Sequence, residues 1–183
     1  MKDIANLLFE AKMLKETPRS GYHFLGAGKE SVAEHSFMIT FIAYIMTQMM
    51  PEINALKLIT MCLLHDLPEA RISDLNYVHK KYVTPHEDKA VEEFTKRIPF
   101  GIGMTELIKE FNAGISAEAK LANDADQLAL ILELKSLLDV GYAPPKKWLP
   151  SVISRLKTDT GKEIADGIME TESDEWWLQL FQK

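Results

Sequence analysis

The dipeptide His65-Asp66, in the segment CLLHDLPEA, ends an otherwise apolar run. An imidazole and a carboxylate beside Leu63 and Leu64 are costly to bury unless something satisfies them. Both are also good ligands for a divalent cation. On its own such a pair reads more readily as a capped helix end or a solvated pair. Two other residues change that reading. His35 lies in VAEHSFMITFIAYIM, with Val32 and Ala33 before it and Ile39 after it; alone it would be a core histidine bonded to backbone. Asp126, in KLANDADQLALILELK, has Ala122, Asn123, Ala129 and Leu130 three and four residues away. That spacing turns Asp126 towards a core and leaves Asp124 expected to face outward. An ionised carboxylate on such a face needs a cation, or its pKa rises and it is neutralised. Two His and two Asp from three helices can converge on one metal and leave positions open for water, as a catalytic site requires.

The elements that would carry these residues are helical almost throughout. Ile4, Leu7, Leu8, Ala11 and Leu14 form one apolar face of a first helix. Residues 15–30, with Pro18, Gly21, Gly26 and Gly28, read as irregular. Ser31 and Glu34 have capping-box spacing and open a second helix that runs to Met50, before Pro51. A third spans Asn54–Leu67, where Pro68 should kink or end it. Residues 70–83 are mixed. Thr84-Pro85-His86-Glu87 reads as a new helix start with a threonine cap, and Met104–Phe111 is periodic. A long helix runs from Ser116 to Val140, with Gly141 placed to stop it. After Pro144-Pro145 two or three helices follow, ending at Glu175-Trp176-Trp177-Leu178. No useful period-2 run occurs, so the chain is expected to be an all-α bundle of about seven to ten helices.

The order His35, then His65-Asp66 about thirty residues on, then Asp126 about sixty further, resembles the HD-domain metal-dependent phosphohydrolase superfamily. ETPRSGY, ESVAEHS, HDLPEARISDL and SAEAKLANDADQLALILE are similar, in order and spacing, to segments of the small HD-domain 5'-nucleotidases. These are the bacterial 5'-deoxynucleotidase and its eukaryotic HD-domain-containing relatives. The likeness covers roughly residues 3–140. It implies an HD-domain helical bundle and hydrolysis of ribo- or deoxyribonucleoside 5'-monophosphates to nucleoside and phosphate. One divalent cation is implied (Co, Mn, Mg, Zn, Ni or Fe), with His35, His65, Asp66 and Asp126 as its ligands. Glu69 matches the acidic residue beside the metal-bound water. Arg19 matches the arginine that grips the phosphate, a task suited to a planar, permanently charged fork. Asp74 matches an acidic residue near the sugar. The bacterial branch carries an aromatic residue directly after that arginine, and here the position is Ser20, with Tyr22 two further on. The departure implies weak discrimination between ribose and deoxyribose.

Length and composition bound what else the chain can be. Its 183 residues favour a single domain, 1–183. The formal charge of -6 argues against a nucleic-acid polymer as partner. The single cysteine, Cys62, excludes an internal disulfide and a Cys-rich zinc site, and reads as a small buried thiol. The first residues are too charged for a secretory signal, and no run has the length of a membrane span, so a cytoplasmic protein with no membrane contact is expected. Met46, Met49, Met50 and Met61 read as core filling. Trp176 and Trp177 read as pins for the last helix, with a homodimer expected. An alternative keeps the metal and changes the substrate to that of a phosphodiesterase or nucleoside triphosphohydrolase. Arg19, Lys29, Arg71, Lys80 and Lys81 would then serve a larger anion. A non-catalytic helical interaction module is the third reading.

Overall fold

Residues 1–181, which the computed structural model describes, form helices and turns, with one isolated antiparallel bridge between Pro18 and Ser31. In chain order these are α1 (Lys2–Met13), α2 (Tyr22–Leu25), α3 (Val32–Met49), α4 (Ala55–Leu64), α5 (Glu69–Ile72) and α6 (Tyr77–Tyr82). They continue as α7 (Glu87–Thr95), α8 (Gly101–Ala113), α9 (Ala117–Asp139), α10 (Pro145–Ile153), α11 (Asp159–Glu170) and α12 (Glu175–Leu178). Three of them, α2, α5 and α12, are single turns of 4 residues. The longer ones fall within the expected seven to ten.

Local chemistry explains most boundaries. The capping box forms at α3: Ser31 accepts from the Glu34 amide, and the Glu34 carboxylate accepts from the Ser31 amide at 2.7 Å. Asn54 caps α4 by accepting from the Lys57 amide. That helix ends at Leu64, three residues before the expected Leu67, because the chain tightens through His65–Pro68 before α5 begins. The start expected at Thr84 lies at Glu87 instead, with His86 in the cap position and no side-chain cap. Gly141 takes φ 88° and stops α9.

Helix α9 is the axis of the bundle and packs against α3, α4, α8, α10 and α11. The larger core cluster joins Ile39, Met46, Leu58, Met61, Cys62, Leu121, Leu128 and Leu134, among others. A smaller one joins Leu14, Val32, Leu67, Val91, Phe94 and Ile108. His35 lies between Val32 of the second cluster and Ile39 of the first, and His65 between Cys62 and Leu67. The polar residues therefore sit at the seam of two apolar cores. Some expectations for core packing do not hold. Leu8 points to solvent, as does Met49, whereas Met46 and Met61 are fully buried. Trp176 and Trp177 are exposed rather than packed into the bundle core among the described residues. No helix among the described residues is long and apolar enough to cross a membrane.

Candidate metal centre

Three of the expected ligands meet closely: one donor atom each from His35, His65 and Asp126 lies within 4.8 Å of the others. His35 comes from the first turns of α3, His65 from the residue that closes α4, and Asp126 from the middle of α9. The His35 Nε2 is 2.9 Å from Asp126 Oδ1. Asp66 joins them through Oδ2, which lies 3.1 Å from His65 Nε2 and 4.0 Å from His35 Nε2. The His65 Nδ1 is 2.8 Å from the Cys62 carbonyl oxygen. A carbonyl can only accept, so the proton sits on Nδ1 and the neutral ring turns a lone pair on Nε2 into the cluster.

Unpaired atoms test whether a cation fits. His35 Nδ1, His65 Nε2, Asp66 Oδ2 and Glu69 Oε2 are buried without a hydrogen-bond partner. Buried polar atoms are nearly always paired, and three of these orphans, on His65, Asp66 and Glu69, belong to residues lining one cavity, which marks a missing charge there. The fourth, His35 Nδ1, lies on the far side of its ring, facing Glu30. The donor set, imidazole and carboxylate, suits a divalent transition metal. Without that cation a proton answers the carboxylates. Burial opposes charge on His65, but Asp66 beside it outweighs burial and lifts the imidazole to about 9. Burial also opposes ionisation of Asp66, yet the His65 charge, helped by His35 and Arg19, holds the carboxylate far below its usual range. Asp126 is lowered too, its hydrogen bond to His35 prevailing over burial.

Glu69, Arg19 and Asp74 line the same cavity, of about 580 Å3, as His65, Asp66 and Asp126. The one-turn α5 keeps Glu69 on the side of His65 and Asp66 despite Pro68, through a bond from the Glu69 amide to the Asp66 carbonyl. Burial pushes the Glu69 carboxyl up to about 9, and Asp66 and Asp74 add to the rise against Arg19 and His65. Arg19 reaches within 3.7 Å of Asp66 and 4.0 Å of Asp74. Its backbone amide bonds to the Glu30 carbonyl, which ties the loop to the chain entering α3. Asp74 follows Ser73, a non-glycine residue at φ 63°, and this costly turn directs the carboxylate back towards Arg19. Ser20 does not line the cavity. It is buried, with its amide 2.7 Å from Asp74 Oδ2 and its hydroxyl bonded to the Asp74 carbonyl. The position after the arginine is therefore filled by a brace for Asp74 rather than by a wall of the cavity.

Sequence reasoning missed several residues. Gln127 donates to Asp126 Oδ2 at 2.8 Å. Arg155 lies over the Tyr77 ring, 5.0 Å from its centroid, and bonds to its hydroxyl. Gln127, Arg155, Tyr77 and Trp148 all line the cavity. An arginine in the turn after α10 carries no local signal. Asp124, expected to face outward, is 0% exposed. It accepts from the Lys157 amide, the Thr158 amide and the Thr158 hydroxyl at 2.8, 2.8 and 2.6 Å, and so fixes the start of α11.

These features define a class: an all-α domain whose helices bring two histidines and an aspartate to one buried, undercompensated point. Residues 11–168 match the HD domain family, and the chain belongs to it. It is 26% identical over 137 residues to the human protein 5'-deoxynucleotidase HDDC2, a match covering 72% of this chain and 66% of that one. The chain thus spans just under two thirds of that relative's length. A conserved hypothetical protein from Pyrococcus furiosus superposes with a TM-score of 0.77 at 27% identity, covering 91% of this chain and 99% of the other. An HD-domain phosphohydrolase from Listeria innocua, 20% identical, shares the fold with a TM-score of 0.66 over 98% of both chains.

Proposed function

We infer that the chain is a metal-dependent phosphohydrolase acting on ribo- or deoxyribonucleoside 5'-monophosphates, releasing nucleoside and phosphate. The observation that carries this reading is the set of three orphaned buried atoms, on His65, Asp66 and Glu69, in a cavity that also holds Arg19. His35, His65, Asp66 and Asp126 would hold one divalent cation, which when bound polarises a phosphoryl oxygen and lowers the pKa of a coordinated water. Arg19 binds the phosphate and offsets its charge. Glu69 orients the attacking water or passes a proton at its unpaired Oε2. Asp74, braced by Ser20, faces the sugar. The human relative's name, 5'-deoxynucleotidase, supports the same substrate class.

A larger phosphate chain is less well served. Of the five cations expected to meet one, Arg19 and Lys80 line the cavity, while Lys29, Arg71 and Lys81 do not. Arg71 is spent on Glu10 and Glu93. The test is phosphate release from matched nucleoside mono-, di- and triphosphates, using protein stripped of metal and reloaded with single divalent ions. Metal-dependent release from monophosphates alone is expected. Release from triphosphates but not monophosphates would overturn the reading.

A further inference from the structure

The two histidines of the cluster are oriented by different means. His65 gives its Nδ1 proton to a backbone carbonyl, supplied by the end of α4 whatever the neighbouring side chains are. His35 has no such carbonyl. Its Nε2 points into the cluster, and its Nδ1 is buried with no hydrogen-bond partner. Facing that atom at 3.7 Å is the Glu30 Oε2, on a side chain only 7% exposed. The same oxygen accepts a bond from the Tyr22 hydroxyl at 3.3 Å. Tyr22 is in turn seated by its neighbours. Its ring packs where a side chain on Gly28 would be, 2.8 Å from an added Cβ, and Gly28 holds φ 80°.

A carboxylate buried beside an imidazole has two effects. It favours the tautomer with the proton on the facing nitrogen, so that when a cation replaces the proton shared between the far nitrogen and Asp126 that nitrogen offers it a lone pair, and it strengthens the imidazole as a ligand. At 3.7 Å the interaction is electrostatic rather than a hydrogen bond, but in a low-dielectric seam such an attraction is not screened away. The bridge between Pro18 and Ser31 places Glu30 next to the backbone of Arg19. One short pairing of chain thus sets both the phosphate-facing arginine and the group behind His35.

We propose that Glu30, held by Tyr22, is the positioning residue that fixes the His35 tautomer and tunes its affinity for the divalent cation. This rests on His35 being a ligand, as inferred above, and can be tested without any substrate. The experiment measures Zn and Co affinity by competition with a chromophoric chelator at one pH. The proteins are wild type, Glu30→Ala, Glu30→Gln, Tyr22→Phe and His35→Ala, with the visible spectrum of each Co-loaded form recorded.

Glu30→Ala should weaken affinity by about 10–100-fold, the usual scale for such a partner, and shift the Co spectrum. Glu30→Gln, which keeps an acceptor and loses the charge, should recover part of that loss. Tyr22→Phe should give a smaller weakening. Metal-free melting temperatures should stay close to wild type, since a role confined to the ligand does not hold the fold. Wild-type affinity and an unchanged spectrum in Glu30→Ala would overturn the proposal. So would a melting temperature that falls in the metal-free state while affinity is kept, because that is a structural role. Unchanged affinity in His35→Ala would remove the ligand itself, and the proposal with it. Loss of affinity in His35→Ala alone, with every Glu30 variant normal, would leave the metal reading standing and reject Glu30.

Discussion

Asp124 and Asp126 sit two residues apart on α9, both in the interior, and their surroundings are opposite. Asp124 has every need met: two amides and a hydroxyl bond to it, and it holds the turn between α10 and α11. Asp126 is 27% exposed into the cavity and has for company two imidazoles, Asp66 and an arginine. Depth of burial ranks Asp124 as the stranger residue, yet it is Asp126 whose neighbourhood lacks a charge. What distinguishes a carboxylate that holds a fold from one that does chemistry is the state of its partners. Three saturated bonds close one account; three orphaned atoms in the cavity beside the other leave it open.

The contrast can be broken most forcefully at the proposed ligands. Asp126→Asn and His65→Ala should reduce metal-dependent phosphate release to background while the metal-free proteins still fold, as circular dichroism and melting curves would show. An Asp126→Asn protein that cannot fold would erase the distinction from Asp124. The next effect is on stability. Asp124→Ala strands two amides and a hydroxyl in the interior and should cost about 3 kcal/mol or more, lowering the melting temperature by about 6–12 °C for a chain of this size. Turnover per folded molecule should be near wild type. A loss of activity larger than the loss of folded protein would show that α11 communicates with the site.

Glu69→Gln should retain the metal and lower kcat by about two orders of magnitude, with metal content and steady-state rates as the checks. Loss of the metal would make Glu69 a ligand. Arg19→Lys should lower kcat/KM for monophosphates by about tenfold or more, because an ammonium cannot replace the fork. A loss of bound metal in Arg19→Lys that accounts for the whole loss of turnover would reassign Arg19 to bracing Asp66 and Asp74.

The smallest effect concerns pH in chelated protein. His65 is raised from 6.5 to about 9, so its contribution to stability is complete below its unfolded value and fades as pH climbs through 9. Glu69, raised from 4.5 to about 9, acts in the same direction. Metal-free protein should therefore melt progressively lower between about pH 6.5 and 9. Metal-loaded protein should be flatter over that window, because a ligated His65 carries no proton to lose. Parallel curves would contradict this account of the cluster.

The cluster of His35, His65, Asp66 and Asp126 is legible because its residue types are costly inside apolar helices, and that cost is visible one helix at a time. Asp124 was not legible, because a helix packed on five neighbours has no outward face for periodicity to point at. Glu30 carries no local signal before the helix cap; its burial depends on Tyr22 and on the bridge at Pro18, contacts that only the folded chain makes. Ser20 stands out in the sequence only as the departure after Arg19; that it braces Asp74 is set by contacts 54 residues apart in the chain. Gln127 on α9 and Arg155 in the turn after α10 meet only in the folded chain, and no spacing links them. The exposed tryptophans of α12 were read as anchors because aromatic residues usually bury.

Metal content per folded chain tests the central distinction most directly. Wild type, Asp124→Asn and Asp126→Asn would each be stripped, reloaded with one divalent ion, freed of excess and analysed for bound metal. The account predicts about one equivalent in wild type and in the folded fraction of Asp124→Asn, and none in Asp126→Asn. A full equivalent retained by Asp126→Asn, or its loss from well-folded Asp124→Asn, would contradict it.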